Sequence, residues 1–242
     1  MINLVRIFRG YMLRTIVICL FLMVIIVPAI ADSEKIHVDL DMNELIKGNI
    51  QTFTEEFNID GKGRKKRIVG VILIDAPCAK VWSLISNWDK MGEYVPGLKY
   101  YKTLTVIKKT DESGIGKSII EGYVKIPIPF VNRIFTLEVT FNKPQWRVEW
   151  KMLSPKEIEY YRTKGVNINN SSPLVKNIEG FGYLEPYNNK LQTVFYYIPT
   201  LEITGPVPGI VERYLSVTGL KGFLKAIKQR SEIMHYEHIS IY

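Results

Sequence analysis

Eight β-prone runs followed by one long helical stripe constrain the fold of this chain more than any other feature. Two of the runs alternate strictly: in 135–141 the odd-numbered residues are apolar, and in 146–152 the even-numbered ones are. Such a strand has one face in a core and the other in water. The eight predicted strands are 50–59, 66–74, 98–108, 116–126, 130–141, 146–153, 177–185 and 191–203.

The connections between these runs predict how the strands pair. Segments such as 111–114 and 187–190 are short and rich in turn-forming residues, so neighbouring strands should pair antiparallel as a meander. A glycine-rich hairpin signal at 60–63 separates the first two runs. The exception is 154–176, a longer polar insertion in which 167–172 is predicted to be a surface loop.

Helical patterns are present at three places. A short helix is expected at 42–46, and Asp75 and Pro77 form a helix-start signal before apolar residues that continue at helical spacing to Trp88. An amphipathic stripe predicts a C-terminal helix over 210–232, about 34 Å long at 1.5 Å per residue. The apolar residues of this stripe are Ile210, Tyr214, Val217, Leu220, Leu224 and Ile227.

These elements predict an α+β fold in which a curved antiparallel sheet wraps around a long C-terminal helix, with two short helices after an early strand. A straight helix cannot touch a strongly curved sheet along its whole length. The space between them must therefore be filled by large side chains or by a ligand.

The N-terminus has the composition of a secretory signal peptide. Residues 1–31 hold three arginines and no acid, with an apolar run at 16–27 and Ala-Ile-Ala at 29–31. The run makes about 18 Å of helix, short of the ~30 Å hydrocarbon core of a membrane. We therefore expect cleavage after Ala31 and export to the periplasm or the cell exterior; an uncleaved leader that anchors the domain is the alternative.

The predicted layout is a signal peptide at 1–31, an extension at 32–47, the main domain at 48–234 and a tail at 235–242. The formal charge of +8 falls to +5 once the three leader arginines are set aside, an excess too small to favour nucleic acid as a partner. Cys78 is then the only cysteine of the exported chain, which excludes an internal disulfide framework and a cysteine zinc site.

The titratable residues give little support for an enzyme. His37, His235 and His238 fall in the flanking segments; the last two could pair on a metal, but a solvated tail is the simpler interpretation. Cys78 lies at a predicted helix start, where the helix dipole can lower a thiol pKa, yet no histidine accompanies it. We expect no catalytic residue, no metal site and no cofactor.

Three glutamates, Glu121, Glu138 and Glu149, invite comparison with a paired acid site. Alternation along their strands places all three on the polar face, where a solvated sheet surface explains them. An enzyme would be favoured if one of them pointed into a cavity beside a tyrosine.

Aromatic residues are the remaining candidates for a binding site. An apolar cavity with a few hydroxyl and indole donors is the usual composition of a pocket for a lipophilic molecule; a filled aromatic core is the alternative. The predicted pocket residues are Tyr123, Phe135, Trp146, Trp150, Tyr183, Tyr196, Tyr214 and Val217, with Tyr197 as a further candidate.

Two apolar turns braced by prolines, at 126–130 and 206–210, are expected at the mouth of such a pocket or in shallow, transient contact with a membrane. Packing against the domain's own helix would explain them equally well. The residues concerned are Ile128, Phe130, Val207 and Ile210.

Four segments carry a resemblance to a known family: Ala-Pro-Cys-Ala-Lys-Val-Trp at 76–82, 88–96 with its Tyr-Val-Pro, Gly-Tyr-Leu-Glu-Pro at 182–186, and the helix at 208–230. In their order and spacing they resemble the START-like, or SRPBCC, superfamily, and more narrowly its polyketide cyclase/dehydrase and coenzyme-Q-binding START-type branch. The resemblance covers about 48–232. It implies a helix-grip fold in which the sheet and the C-terminal helix enclose a hydrophobic cavity.

The residues and the resemblance together predict an exported, non-enzymatic domain. It would bind a lipid, an isoprenoid quinone or a similar hydrophobic molecule between sheet and helix, and would serve as a carrier. A cyclase, dehydratase or hydrolase that uses the same pocket is the second hypothesis, and a membrane-anchored protein-interaction module is the third. The extra strand 50–59 and the insertion depart from the family pattern, so the identity of the ligand is not transferred.

Overall fold

The computed structural model describes residues 35–59, 63–124, 134–171, 175–203 and 217–233. The chain divides into two units, Met1–Asp39 and Leu40–Tyr242. Of the first unit, residues 35–39 are described and form no helix or strand. The predicted leader and the tail at 235–242 lie outside the described residues.

One antiparallel sheet contains every strand that the sequence predicts. Its strands are β1 Gln51–Ile59, β2 Gly63–Ile74, β3 Leu98–Lys108, β4 Ile115–Val124, β5 Ile134–Asn142, β6 Arg147–Met152, β7 Val175–Tyr187 and β8 Gln192–Ile203. From β3 to β8 each strand pairs with the next along the chain, which confirms the predicted meander. The β1–β2 hairpin joins through β8, giving the order β1-β2-β8-β7-β6-β5-β4-β3.

Short helices and one longer helix accompany the sheet. They are α1 Met42–Ile46, α2 Cys78–Ile85, a 3₁₀ helix Trp88–Glu93, α3 Pro155–Thr163 and α4 Gly219–Ile233. The two predicted short helices after an early strand are present, as is the described part of the C-terminal helix. No described helix combines the length and the apolar character that a membrane span needs.

Helix α3 lies in the insertion, where the sequence analysis predicted no helix. Ser154 Oγ accepts a hydrogen bond from the Glu157 backbone N–H at 3.3 Å, and the Glu157 carboxylate accepts one from the Ser154 N–H at 2.8 Å. This reciprocal capping box, with Pro155 at the first helical position, is a strong helix-start signal. The motif Ser-Pro-Lys-Glu at 154–157 therefore marks the helix in the sequence.

The inner face of the sheet packs against α2, the 3₁₀ helix and α4. Alternation in β5 and β6 is confirmed, because Leu137, Val139 and Val148 are buried in this inner core. Leu224 and Ile227 of the predicted helical stripe are buried there as well.

Helix α4 reaches the sheet at Gly70 of β2. The side chains of Leu220 and Leu224 lie against this glycine, and a β carbon there would be 2.8 Å from Cδ1 of Leu224. The main contacts of α4 are with β2, β8 and α2. Helix α4 therefore contacts the sheet directly at β2 and β8. The inner faces of β4 to β6 are not among its main contacts.

The outer face of the sheet is covered in part. Ile119 of β4 is fully buried with Leu153 and Ile168, and Ile158 and Tyr161 of α3 pack against this group. The insertion 154–171 thus forms a second small core on the outer face. Alternation predicts a solvent-exposed outer face, and this is wrong at several positions besides β4: Thr136 of β5 and Arg147 of β6 are buried, as are the outward residues Tyr196 and Ile198 of β8.

Candidate functional site

Aromatic rings from separate strands meet on the inner face. Tyr101 of β3 lies beside Trp88 of the 3₁₀ helix, with ring centroids 4.7 Å apart, and beside Phe135 of β5, at 6.2 Å. Trp150 of β6 lies edge-on to Trp88 at 5.9 Å and stacks on Tyr197 of β8 at 5.4 Å. These rings are distant in sequence, and only the fold brings them together.

Tyr197 connects these rings to the C-terminal helix. Its ring stacks on Phe223 of α4 with centroids 4.3 Å apart, and Phe195 lies at 6.2 Å. We refer to this set as the aromatic cluster: Trp88, Tyr101, Phe135, Trp150, Phe195, Tyr197 and Phe223.

Two tyrosines of the aromatic cluster, Tyr101 and Tyr197, are largely shielded from water but are not completely buried. No hydrogen bond to the hydroxyl of Tyr101 or Tyr197 is formed within the described part of the chain. Burial raises the pKa of both phenols, and the neighbouring Tyr101 raises that of Tyr197 further. Both side chains nevertheless retain accessible surface. Both tyrosines are therefore packed against the core without being fully enclosed by the described residues.

Tyr94, in the turn that follows the 3₁₀ helix, has a hydroxyl that differs from these two in being fully buried. Its hydroxyl oxygen is buried and has no partner among the residues described. Burial raises its pKa to about 12, although the Arg230 guanidinium, 5.8 Å from the ring, acts in the opposite direction. A buried hydroxyl without a hydrogen bond costs about 1–3 kcal/mol.

Two strand glycines let the rings approach the sheet backbone. A β carbon at Gly122 of β4 would lie 2.5 Å from Phe135 Cε2 and 2.7 Å from Tyr101 Cε1. At Gly180 of β7 it would lie 2.7 Å from Trp150 Cζ2. Any side chain at these positions would collide with the rings, so the glycines let the rings pack directly against the sheet backbone.

Three of the predicted pocket residues lie on the inner side. Phe135 and Trp150 belong to the aromatic cluster, and Trp146 packs beside it with its ring edge-on to Trp82 at 5.8 Å. Val217 precedes α4 and is 38% exposed. That these residues line a pocket stays a prediction. Lying outside the described residues are Tyr214, Ile128, Phe130, Val207 and Ile210.

The other three predicted tyrosines lie on the outer face. Tyr183 and Tyr196 stack on each other with centroids 4.4 Å apart, and Tyr123 stacks on Tyr100 at 5.7 Å. The tyrosines turned inward are Tyr101 and Tyr197, of which the sequence analysis named only the second.

Glu138 and Glu149 lie on the outer face, as alternation predicts. Glu138 accepts a hydrogen bond from Lys117 at 3.1 Å and lies 3.7 Å from Lys151. The Glu149 side chain is half exposed and pairs with Arg147. Both carboxylates are thus neutralised by neighbouring cations on the side away from α4.

Glu121 departs from the prediction of a solvated carboxylate, because it is only 3% exposed. It accepts a hydrogen bond from the Tyr100 hydroxyl at 2.9 Å and another from Asn169 Nδ2 at 2.7 Å. Burial, together with the bond to Glu121, raises the pKa of Tyr100 to about 12. The insertion supplies Asn169 and covers this site, so the carboxylate beside a tyrosine faces the insertion rather than the aromatic cluster.

Cys78 begins α2 and is buried. Burial raises its pKa, which keeps the thiol protonated and unreactive. The Thr193 hydroxyl lies 3.5 Å from its sulfur and donates to the Ala76 carbonyl at 2.7 Å, so the residue has a structural role.

The described residues include no group of three or more His, Cys, Asp or Glu side chains placed to hold a metal ion. His37 is described, and the predicted pair His235 and His238 is not.

Several solved structures share this arrangement of sheet and helices. A STAR-related lipid transfer protein from Xanthomonas axonopodis has a TM-score of 0.54 at 13% identity, over 82% of this chain and 98% of that one. A START superfamily protein from Mycobacterium smegmatis has a TM-score of 0.50 at 15% identity, over 69% and 97%. The Zhui aromatase/cyclase from Streptomyces sp. R1128 has a TM-score of 0.50 at 9% identity, over 76% and 94%.

The chain has a START-like fold. The resemblance predicted from four sequence segments is thereby confirmed at the level of the fold. No family model matches the chain, and no curated protein matches its sequence. At identities of 9–15% a START-like fold does not by itself fix a ligand or an activity.

Proposed function

We propose that this START-like protein binds a hydrophobic molecule between the inner face of its sheet and helix α4. The observation that carries the proposal concerns Tyr101 and Tyr197. Both side chains are largely shielded from water and yet partly accessible, and their hydroxyls have no hydrogen-bond partner within the described residues. Any space bordered by these apolar rings would favour an apolar guest, because water there would lose hydrogen bonds.

The contacts of α4 support the same location. The helix packs closely on β2 at Gly70, and Phe223 reaches from it to Tyr197. The guest would therefore lie against Trp88, Phe135 and Trp150, which belong to strands and a helix that α4 does not cover closely. Enclosure by rings of this size would bury most of a lipid chain or a ring system.

We propose a lipid, an isoprenoid quinone or a similar molecule as the guest, and a carrier role for the protein. One protein of similar fold is named a lipid transfer protein and another an aromatase/cyclase. The three carboxylates considered for an enzyme lie on the outer face, and Glu121 is already held by Tyr100 and Asn169. We therefore place binding ahead of chemistry.

Export by the N-terminal leader, and transient contact of the apolar turns with a membrane, are part of this proposal. Both rest on sequence alone. N-terminal sequencing of the protein from its native host tests export, because cleavage after Ala31 should give a chain that begins at Asp32. A full-length chain recovered from the cytosol would contradict export and leave the binding proposal standing.

Native mass spectrometry of the purified full chain tests binding. We expect an adduct that organic extraction releases and that lipid analysis identifies as a hydrophobic molecule. After removal of this adduct, added lipid should restore it. A chain that is reproducibly empty and accepts no lipid would overturn the proposed function.

A pair of valine substitutions provides a matched control. Val124 lies on the inner face and is partly buried against the core, whereas Val106 is 50% exposed. Val124→Trp should fill part of the space and reduce the amount of bound molecule, and Val106→Trp should leave it unchanged. Equal occupancy in both variants would place the guest elsewhere.

A further inference from the structure

Tyr101 and Tyr197 belong to strands that are far apart in the sheet. Four strands, β4 to β7, separate β3 from β8. At about 4.8 Å between neighbouring strands, the distance along the sheet is about 24 Å. Ring contacts nevertheless connect them: the ring of Tyr101 lies 4.7 Å from Trp88, Trp88 lies 5.9 Å from Trp150, and Trp150 lies 5.4 Å from Tyr197. The curvature of the sheet therefore brings both tyrosines into one aromatic cluster on the inner face.

The rings that contact the rings of Tyr101 and Tyr197 carry no charge. Tyr101 contacts Trp88 and Phe135, and Tyr197 contacts Trp150 and Phe223 among others. An ionised headgroup placed here would lose its hydration without gaining a counter-ion, which is strongly unfavourable in protein interiors. A neutral oxygen loses far less and gains a hydrogen bond from each phenol O–H that reaches it.

We propose that Tyr101 and Tyr197 together bind the carbonyl or hydroxyl oxygen of an uncharged lipophilic molecule, and that the site selects against carboxylate and phosphate headgroups. This inference rests on the proposed function, since it names the class of molecule that occupies the same space. The apolar part of the molecule lies against the aromatic cluster, and its oxygen lies between the two phenols.

Displacement of the neutral dye Nile red from the delipidated full chain tests this selection. The competitors are 1-dodecanol, 2-tridecanone, tridecane and dodecanoate at pH 8, which have similar chain lengths and differ in the end group. We expect the alcohol and the ketone to displace the dye best. Dodecanoate should bind at least about tenfold more weakly than dodecanol, because the carboxylate must lose its hydration.

The variants Tyr101→Phe and Tyr197→Phe remove one hydroxyl each and keep the rings. Each should weaken dodecanol and tridecanone binding about 3- to 10-fold, the range expected for one hydrogen bond, and leave tridecane binding unchanged. Tyr196→Phe is the matched control, because Tyr196 is the next residue in β8 and stacks on Tyr183 on the outer face. It should have no effect on any competitor.

The outcomes separate this inference from the proposed function. If Nile red and tridecane bind but dodecanoate binds as well as dodecanol, or if the two inner variants behave as the control does, the inference is overturned and hydrophobic binding stands. If neither the dye nor any competitor binds, both are overturned.

Discussion

The indole ring of Trp150 lies so close to the backbone of Gly180 that a β carbon on residue 180 would be 2.7 Å from Cζ2 of the ring. Trp150 also stacks on Tyr197 at 5.4 Å. A backbone position in β7 therefore sets where the ring of Trp150 lies, and through it the position of a phenol in the proposed binding space.

Gly180→Ala should destabilise the protein by about 1–3 kcal/mol, the usual cost of overpacking a core. The added methyl group would meet the Ile198 carbonyl oxygen as well as Trp150, and a backbone atom cannot move aside as a side chain can. Gly222→Ala is the control: nothing lies within 4 Å of that site in α4, so alanine should stabilise the helix by about 1 kcal/mol. Urea unfolding measures both, and a stable Gly180→Ala variant would contradict the predicted clash.

Trp146 has a positive φ of 50°, which is strained for a residue with a β carbon. Trp146→Gly should therefore be more stable than Trp146→Ala by about 1 kcal/mol, although both lose the contact with Trp82 equally. At Trp150, in a regular strand, the order should be the usual one, with alanine more stable than glycine. Denaturant midpoints of the four variants check this, and the same order at both sites would argue against strain at Trp146.

Glu121→Ala should cost about 1–3 kcal/mol, because it leaves the Tyr100 hydroxyl and the Asn169 amide without their acceptor. It should also speed hydrogen exchange in α3, since Asn169 ties the insertion to the sheet. Glu112→Ala removes an exposed carboxylate in the turn between β3 and β4 and should change stability by less than about 0.5 kcal/mol. If the two variants lose the same stability, the bond network around Glu121 does not hold the insertion.

Stability should fall in acid through Glu157. The Ser154 N–H, and after it Lys151, lower the pKa of Glu157 from 4.5 to about 2. A carboxyl whose pKa is lowered by folding stabilises the protein fully above its unfolded value, and this contribution is lost as the pH falls toward the folded value. Glu157→Gln should therefore be less stable than the native chain at neutral pH, and the difference should shrink between about pH 4.5 and pH 2. Urea unfolding at several pH values measures it, and a constant difference would contradict this role.

Local patterns were enough to predict the strands of this fold. Alternation in 135–141 and 146–152 identifies β5 and β6 together with their inner faces, because each has one apolar and one polar side. Short turns between the runs predict the meander, since neighbouring strands joined by tight turns pair antiparallel. The helix in the insertion was not predicted, because the segment is polar and has no clear apolar stripe. The capping box at 154–157 is the sequence signal that indicates it.

The inward tyrosines could not be chosen from sequence for two physical reasons. In β8 both faces are buried, so Phe195 and Tyr197 inside alternate with equally apolar Tyr196 and Ile198 outside, and periodicity carries no information. In β3, irregular pairing with β4 near residues 98–100 shifts the register by one residue, which decides that Tyr101 rather than its neighbour turns inward.

The junction between β2 and β8 affects how the protein is made. Gly70 pairs with Tyr197 there, and these residues come from opposite ends of the described sheet sequence. During translation the β1–β2 hairpin leaves the ribosome long before β8 is synthesised. Until then, the edge of β2 that pairs with β8 has unpaired backbone N–H and C=O groups. Until β8 has been synthesised, that edge can pair with a strand of another chain, and closure of this seam should be a late step of folding.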